Sequence, residues 1–429
     1  MRPLGLLLFT TLLGAGGYAA WHELQTSQWQ ARWVSRYAAS LDYHVAPGPS
    51  SEIRFPEDGP FDRRLGYVQL PTFIERLSAR GFEVQAQARF SPALLDYASR
   101  GFFVPYRHQS QVGLTIFDCR GLPLYANSYP QQFYESFEDI PPLVALSLLF
   151  IEDRGLLDAS RPTVNPAVDW PRFAKAAISQ LEKRLGLGGQ ASGGSTLATQ
   201  VEKYRHSPEG RTGDPQEKLR QMVSASVRTY REGPQTLAAR QRIVRDYLNS
   251  VPLSAAPGHG EVHGIADGLR LWYGADFAEV NRLLDPRRNA DSDLQARGLA
   301  LRQVLSLLIA QRRPSYYLGA GRKELASLTD SHIRLLAAGG IVDTRLREAA
   351  LAQQVQFRDL QREPAIRTVE ATKGISVARM RLAGLLGMPL YDLDRLDLTA
   401  STPLQGELQT RISAYLARLA DPQGAAEVG

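Results

Sequence analysis

Apolar residues recur at helical spacing from residue 140 to about residue 356. The first of these stretches opens at Pro142, where proline is tolerated in the first turn of a helix, and stays almost wholly apolar to Ile151. A helix with this composition is buried on most of its sides. Further helices are predicted at about 170–185, 196–204, 217–231, 238–249, 296–311, 327–337 and 345–356. The pattern therefore predicts a mainly α-helical fold for this part of the chain.

Residues 61–128 follow a different pattern, in which short strand-like runs surround one helical stretch. Residues 72–81 predict a helix that ends at Gly81, and residues 112–125 predict a β-hairpin that turns at Arg120-Gly121. We interpret this segment as a small α/β module. The prolines between residues 45 and 60 indicate a linker in front of it.

The N-terminal residues 3–21 contain no charged side chain and follow Arg2. A helix of about 19 residues, rising about 1.5 Å per residue, is just long enough to cross an apolar bilayer core of about 30 Å. We favour an uncleaved membrane anchor. A cleaved signal peptide, with Gly17 and Ala19 near the cleavage site, is the alternative. With Arg2 on the cytoplasmic side, the rest of the chain is expected outside the cytoplasm.

The charge balance narrows the class of partner. The chain has 50 lysine and arginine residues against 44 aspartate and glutamate residues, a formal net charge of +6. This balance suits an anionic partner, but the expected location excludes nucleic acid. The single cysteine, Cys119, excludes an internal disulfide and argues against a cysteine-rich zinc site. His259 and His263 are four residues apart, but Pro257-Gly258 and the glycines around them make a helix unfavourable, so no metal site is predicted there.

Glu152 and Asp153 end the first apolar helix. A carboxylate that emerges from a hydrophobic core at a helix end is a candidate general base. The alternative is an acidic pair that caps the helix or forms salt bridges.

A glycine-rich turn, Gly193-Gly194-Ser195-Thr196, leads into the next helix, which carries Gln200 and Lys203. Backbone amides at a helix start, together with the hydroxyls of Ser195 and Thr196, can form an anion cradle. The alternative is an ordinary turn and helix cap. Lys203 supplies a compact ammonium group suited to a phosphate, in a chain that otherwise prefers arginine.

These signatures, followed by Lys218 and by Arg242–Asn249, resemble in their order the glycosyltransferase domain of class A penicillin-binding proteins, glycosyltransferase family 51. The resemblance implies a mainly α, lysozyme-like helical domain behind an N-terminal transmembrane helix and a small α/β module. It implies Glu152 as general base, paired with Asp153. It further implies a substrate-binding set of Ser195, Thr196, Gln200, Lys203, Lys218, Gln221, Glu217 and Asn249.

The third signature departs from the family at two positions. Gln221 stands where the family has a functionally important glutamate, and Glu217 stands where it has an arginine. Glutamine cannot exchange a proton at neutral pH. Because Glu217 lies one helical turn away from Gln221 on the same face, we expect that it could partly replace the missing carboxylate. The alternative is reduced or lost catalysis.

The predicted organisation has five parts. They are a transmembrane anchor (1–22), a juxtamembrane helix and linker (23–60), the α/β module (61–137), the glycosyltransferase-like domain (138–345) and a C-terminal helical or linker segment (346–429). A transpeptidase is not predicted, because no lysine has a serine three residues before it. Residues 396–416 resemble the linker that leads to a transpeptidase in the family.

The predicted function is polymerisation of lipid II into glycan strands, by inverting displacement of undecaprenyl pyrophosphate at the bacterial inner membrane, with the bulk of the chain in the periplasm. Its partners are lipid II, the growing glycan chain and other cell-wall synthesis proteins. No cofactor is predicted, and assistance by Mg²⁺ or Mn²⁺ stays open. One alternative is a catalytically weakened or inactive module that binds lipid II or the cell wall. Another, a lysozyme-like glycan-cleaving enzyme, does not explain the phosphate-directed lysines.

Overall fold

The computed structural model describes residues 2–107, 109–170, 195–288, 293–360, 373–420 and 426. The protein is mainly helical. The helices are α1 (Arg2–Thr26), α2 (Gln28–Ser40), α3 (Pro60–Arg64), α4 (Leu70–Ser78), α5 (Pro92–Ser99), α6 (Pro142–Glu152), α7 (Leu197–His206), α8 (Pro215–Tyr230), α9 (Leu237–Ser250), α10 (Gly264–Gly268), α11 (Phe277–Leu284), α12 (Leu294–Ala310), α13 (Pro314–Tyr317), α14 (Arg322–Ala338), α15 (Thr344–Ala352), α16 (Lys373–Leu386), α17 (Leu390–Leu393) and α18 (Gly406–Ala420). The strands are β1 (Tyr43–Pro47), β2 (Ala86–Phe90), β3 (Leu114–Phe117), β4 (Pro123–Ala126), β5 (Pro252–Ala256), β6 (Gly260–His263) and β7 (Leu398–Ser401).

Helix α12 forms the centre of the helical lobe, and its residues from Ala300 to Ala310 are all buried. Helix α15 packs closely against it at Gly298 of α12. A β-carbon added to Gly298 would lie only 2.7 Å from backbone atoms of Ala349 and Ala350, so the close approach requires glycine. Arg302, also on α12, donates to the Ala350 carbonyl at 3.1 Å. Together with α6, α9 and α11, these helices enclose the largest hydrophobic core of the protein.

The α/β module contains the predicted hairpin. Strands β3 and β4 pair antiparallel, and the turn between them contains Gly121 at φ +77°. This backbone conformation favours glycine. The predicted helix at 72–81 is also confirmed, as α4, and Gly81 follows it.

The C-terminal segment completes the same sheet. Strand β7 pairs in parallel with β3, in a register that places Leu398 opposite Leu114, so the strand order is β4-β3-β7. Helix α16 packs against α4, and together the two segments form a separate small core. Helix α16 and strand β7 of the C-terminal segment, which the sequence pattern assigns to a different unit, therefore share a sheet and a small core with the α/β module.

Most of the predicted helices are confirmed, with ends that differ by a few residues. The predicted helix at 170–185, and the apolar and basic residues that follow it, lie outside the described residues. Over the part of the chain that the structure describes, none of the helices combines the length and apolar character needed to cross a membrane.

Candidate active site

Glu152 lies at the C-terminal end of α6 and is half-buried. The preceding turns of α6 are buried in the main core, so the helix delivers this carboxyl group to the edge of the lobe. There it borders a cavity of about 630 Å³ that Asp153, Asp169 and Trp170 also line. Glu152 and Asp153 thus line the same cavity.

Both carboxylate oxygens of Glu152 accept hydrogen bonds from side-chain amides. Gln200 donates from Nε2 to Oε2 at 3.0 Å, and Gln311 donates from Nε2 to Oε1 at 3.3 Å. Gln200 comes from α7, whereas Gln311 follows the last residue of α12. Gln200, predicted as a substrate contact, therefore lies against the candidate base itself.

The start of α7 is a capping box. The Thr196 hydroxyl accepts from the Thr199 backbone N–H at 3.3 Å, and the Thr199 hydroxyl accepts from the Thr196 N–H at 3.0 Å. This buried hydroxyl therefore caps the helix. Thr196 also lines the cavity that contains Glu152, and its contact with an anion stays a prediction. Ser195, which precedes the cap, remains turned toward Lys218.

Two lysines bring positive charge to the carboxylate. Lys218 Nζ donates to Ser195 Oγ at 2.9 Å and approaches Thr199 Oγ1 at 3.5 Å. Burial, and to a smaller extent the charge of Lys203, lower the pKa of Lys218 to about 8. Burial also lowers the pKa of Lys203, while the charge of Glu152 acts in the opposite direction. Lys203 is therefore close enough to both Glu152 and Lys218 to interact with each of them electrostatically.

Gln221 does not join this group. Its buried Nε2 donates to Ser207 Oγ at 2.9 Å and to Thr212 Oγ1 at 3.0 Å. Its amide links the segment after α7 to α8 instead of facing the cavity. The structure does not bring Gln221 together with Glu152 and the lysines, and its substrate contact stays a prediction.

Glu217 lies away from Glu152 as well. Its carboxylate forms an ion pair with Arg220 at 3.5 Å, and Oε1 has no hydrogen-bond partner among the described residues. Arg220 borders a different cavity, between α8 and the α/β module. The structure does not support the expectation that Glu217 replaces the missing family glutamate at the site.

Asn249 has a structural role. Its Nδ2 donates to the Tyr134 carbonyl at 2.8 Å, and its Oδ1 accepts from the Tyr134 N–H at 2.9 Å. These two bonds use both ends of the buried amide and hold the segment before α6 against α9. Both polar ends of the Asn249 side chain are thus used within the protein, and the substrate contact that the fourth signature predicted stays a prediction.

Arg240, whose side chain is fully buried, binds the loop that follows Glu152. Its guanidinium donates to the carbonyls of Leu156 at 2.8 Å, Asp158 at 3.1 Å and Arg161 at 2.9 Å. A rigid, planar donor set of this kind fixes three backbone positions at once.

The two histidines considered for a metal site lie on and beside a hairpin. His259 is in the turn between β5 and β6, and His263 ends β6 near Glu261. Among the residues that the structure describes, no group of three or more histidine, cysteine, aspartate or glutamate side chains is arranged to hold a metal ion.

Sequence reasoning missed Gln311 and Tyr204. Tyr204 lies beside Lys203 on α7, and its hydroxyl is 2.9 Å from Gln311 Oε1 and 3.2 Å from Gln200 Oε1. Each of these residues has only weak signals in the sequence. Gln311 is a polar residue at the end of an apolar helix, and Tyr204 is an aromatic residue in a motif otherwise read for its polar groups.

Comparison with protein families matches residues 122–334 to the family model described as Transglycosylase. The matched region includes Glu152, Lys203, Lys218 and Gln311. A search of curated proteins found no match.

Proposed function

Through residues 122–334 the chain belongs to the transglycosylase family of peptidoglycan glycosyltransferases, and from this premise we propose that it polymerises lipid II into glycan strands. The observation that carries the proposal is the position of the half-buried Glu152 carboxylate between two amide donors and within electrostatic reach of Lys203. Lys218 adds a second positive charge close enough to Lys203 to interact with it.

Polymerisation requires a displacement at an anomeric carbon. In the proposed step, Glu152 takes the proton of an acceptor-sugar hydroxyl while that oxygen forms a bond to the anomeric carbon. The bond from this carbon to the diphosphate breaks, and its electron pair leaves with the diphosphate. Attack from the face opposite the leaving group inverts the configuration. Asp153, in the same cavity, is proposed to assist this acid–base chemistry.

The leaving diphosphate gains negative charge as the bond breaks. We assign its stabilisation to the ammonium groups of Lys203 and Lys218, with the Ser195 hydroxyl beside Lys218 as a further donor. Such groups lower the barrier when they are held in place before the charge develops. Both lysines come from helices, α7 and α8, and are therefore fixed by regular backbone.

The N-terminal helix ends beside the same cavity, which supports the proposed membrane location. Leu24 and Gln25, near the end of α1, line the cavity that contains Glu152. Arg161 donates to the Gln25 carbonyl at 3.0 Å, and Thr163 donates to the Thr26 carbonyl at 2.7 Å. We propose that the N-terminal segment anchors the chain in the bacterial inner membrane and places the cavity at its periplasmic face, where lipid-linked substrates arrive.

The direct test is polymerisation of labelled lipid II by the full chain in detergent micelles, with products separated by gel electrophoresis. We expect glycan strands from the wild type and none from Glu152→Gln, which keeps the size of the side chain but cannot accept a proton. Glu261→Gln, on the exposed edge of β6, is the matched control and should polymerise normally. Polymerisation by Glu152→Gln at the wild-type rate would contradict the proposed role.

A second candidate function, binding of lipid II with weakened catalysis, is favoured by Gln221. The residue cannot exchange a proton, and its amide is buried in bonds to Ser207 and Thr212. The same assay distinguishes the two functions. Saturable binding of lipid II by the wild type without chain growth would support the second one.

A further inference from the structure

We propose that the outer face of helix α2 lies at the surface of a membrane, and that Arg32 and Arg36 of this helix bind the headgroup of an anionic phospholipid. The inference rests on the proposed function, in which the N-terminal segment holds the chain at a membrane. It adds a lipid-binding surface on a helix that lies outside the glycosyltransferase-like domain.

Helix α2 has two faces of different character. Its inner face is fixed to the protein, because Ala38 and the following Leu41 pack in a small core with Val227 of α8. On the outer face, Trp29 and Trp33 lie one helical turn apart and are 54% and 68% exposed. The protein thus holds α2 in a defined orientation in which large aromatic side chains are turned outward.

The aromatic residues indicate what this face contacts. Tryptophan is enriched where lipid headgroups meet acyl chains, because its ring is largely apolar and its N–H group is polar. The chain has five tryptophans, and three of them, Trp21, Trp29 and Trp33, are exposed around the junction of α1 and α2. An apolar membrane surface explains this exposure better than water does.

The junction between the two helices is short and fixed. Only Ser27 separates α1 from α2, and the two carboxylate oxygens of Glu23 accept hydrogen bonds from the backbone N–H groups of Trp29 and Gln30, both at 2.8 Å. At about 1.5 Å per residue, Trp33 lies less than about 10 Å along α2 from its first residue. Insertion of α1 into a bilayer would therefore bring both tryptophans of α2 to the level of the headgroups.

A basic cavity of about 360 Å³ adjoins this aromatic face. Arg32 and Arg36 line it together with polar groups that include Thr163 and Gln235, and none of the described residues that line it is acidic. Two guanidinium groups with hydroxyl and amide neighbours suit the charge and the hydrogen-bonding capacity of a lipid phosphate. The Arg36 guanidinium also lies 6.0 Å from the centre of the Trp33 ring, so one lipid molecule could contact both features.

Thr163 connects the basic cavity to the candidate active site. Its hydroxyl donates to the carbonyl of Thr26 at the end of α1. Arg161, two residues before Thr163, lines the cavity that contains Glu152. A headgroup bound by α2 would therefore hold the candidate active site close to the surface from which a lipid-linked substrate arrives.

The first test measures which tryptophans reach the membrane surface. The full chain is reconstituted in phosphatidylcholine nanodiscs, and its fluorescence is quenched by lipids that are brominated near the carbonyl end of the acyl chain. We expect Trp29→Phe/Trp33→Phe to lose at least about half of the quenched emission, because two of the three exposed interfacial indoles are removed. Trp272→Phe, which removes an indole buried in the main core, is the control and should lose none of it.

The second test measures the preference for anionic lipid. Brominated phosphatidylglycerol and brominated phosphatidylcholine are compared at the same low mole fraction. Because an arginine near a bilayer favours anionic lipid by up to about fivefold, the wild type should be quenched at least about twofold more strongly by phosphatidylglycerol. Arg32→Gln/Arg36→Gln should lose this preference. The matched control, Arg282→Gln/Arg345→Gln, removes two exposed arginines on α11 and α15 and should keep it.

Unchanged quenching in Trp29→Phe/Trp33→Phe, or an unchanged preference in Arg32→Gln/Arg36→Gln, would overturn the inference. Neither measurement requires activity, so these results leave the polymerisation proposal intact. Absence of polymerisation by the wild type would refute that proposal and leave the lipid surface standing. A wild type that does not associate with nanodiscs would overturn both the inference and the proposed membrane location. If a double variant does not fold, Trp33→Phe or Arg36→Gln replaces it, with a smaller effect in the same direction.

Discussion

The lowered pKa of Lys218 predicts that diphosphate binding weakens between pH 7 and pH 9. The ammonium is charged below its pKa and neutral above it. With a pKa of about 8, about nine-tenths of the Lys218 side chains are charged at pH 7 and about one-tenth at pH 9. If binding requires the ammonium, affinity for a diphosphate should fall by about tenfold over this range.

Lys218→Arg provides the decisive comparison, because a guanidinium stays charged across the whole range. We expect its affinity to change by less than about twofold between pH 7 and pH 9, even if its absolute value is lower. The probe is a short-chain prenyl diphosphate, titrated calorimetrically at each pH against both proteins. Since the ligand is the same, its own protonation affects both curves equally. A wild-type affinity that does not change with pH, or an equal loss in Lys218→Arg, would refute this reasoning.

Two other predictions follow from residues near the site. Glu217→Gln should leave the polymerisation rate unchanged, because Glu217 pairs with Arg220 and not with the site. Gln221→Glu should lower the free energy of unfolding by about 1–3 kcal/mol, because a carboxylate cannot donate to Ser207. A rate gain in Gln221→Glu would show that this position does reach the substrate. Arg240→Met should cost about 3 kcal/mol of stability in urea unfolding, since three carbonyls at buried or partly buried positions lose a charged donor. A loss below about 1 kcal/mol would count against that role.

The helical lobe was largely predictable, because periodic apolar residues identify helices without knowledge of their neighbours. The hairpin of β3 and β4 was predictable for a similar reason, since its turn is local. The pairing of β3 with β7 was not, because Leu114 and Leu398 are brought together only by the folding of everything between them. Nothing in either short apolar run specifies the other as its partner.

The candidate site was likewise predictable only where local sequence determines it. The signatures pointed to Glu152, Lys203 and Lys218, and in the structure Lys203 interacts electrostatically with each of the other two. They did not reveal that the amide of Asn249 is used by the Tyr134 backbone, because polar residues in a motif look alike whether they face a substrate or the protein. Gln311 was missed because it belongs to none of the signatures. Its contact with Glu152 depends on where α12 ends relative to α6, which is a property of packing.

The parallel pairing of β3 and β7 also limits how the enzyme can be dissected. A fragment restricted to residues 122–334 would contain β4 but neither β3 nor β7, so it would lack the other two strands of this sheet, which carry Leu114 and Leu398. Its remaining strand would expose unpaired backbone groups, which promote aggregation. Shortened versions intended for crystallisation or inhibitor screening should therefore retain both sequence-distant strands, and deletions are better sought in the loops between them.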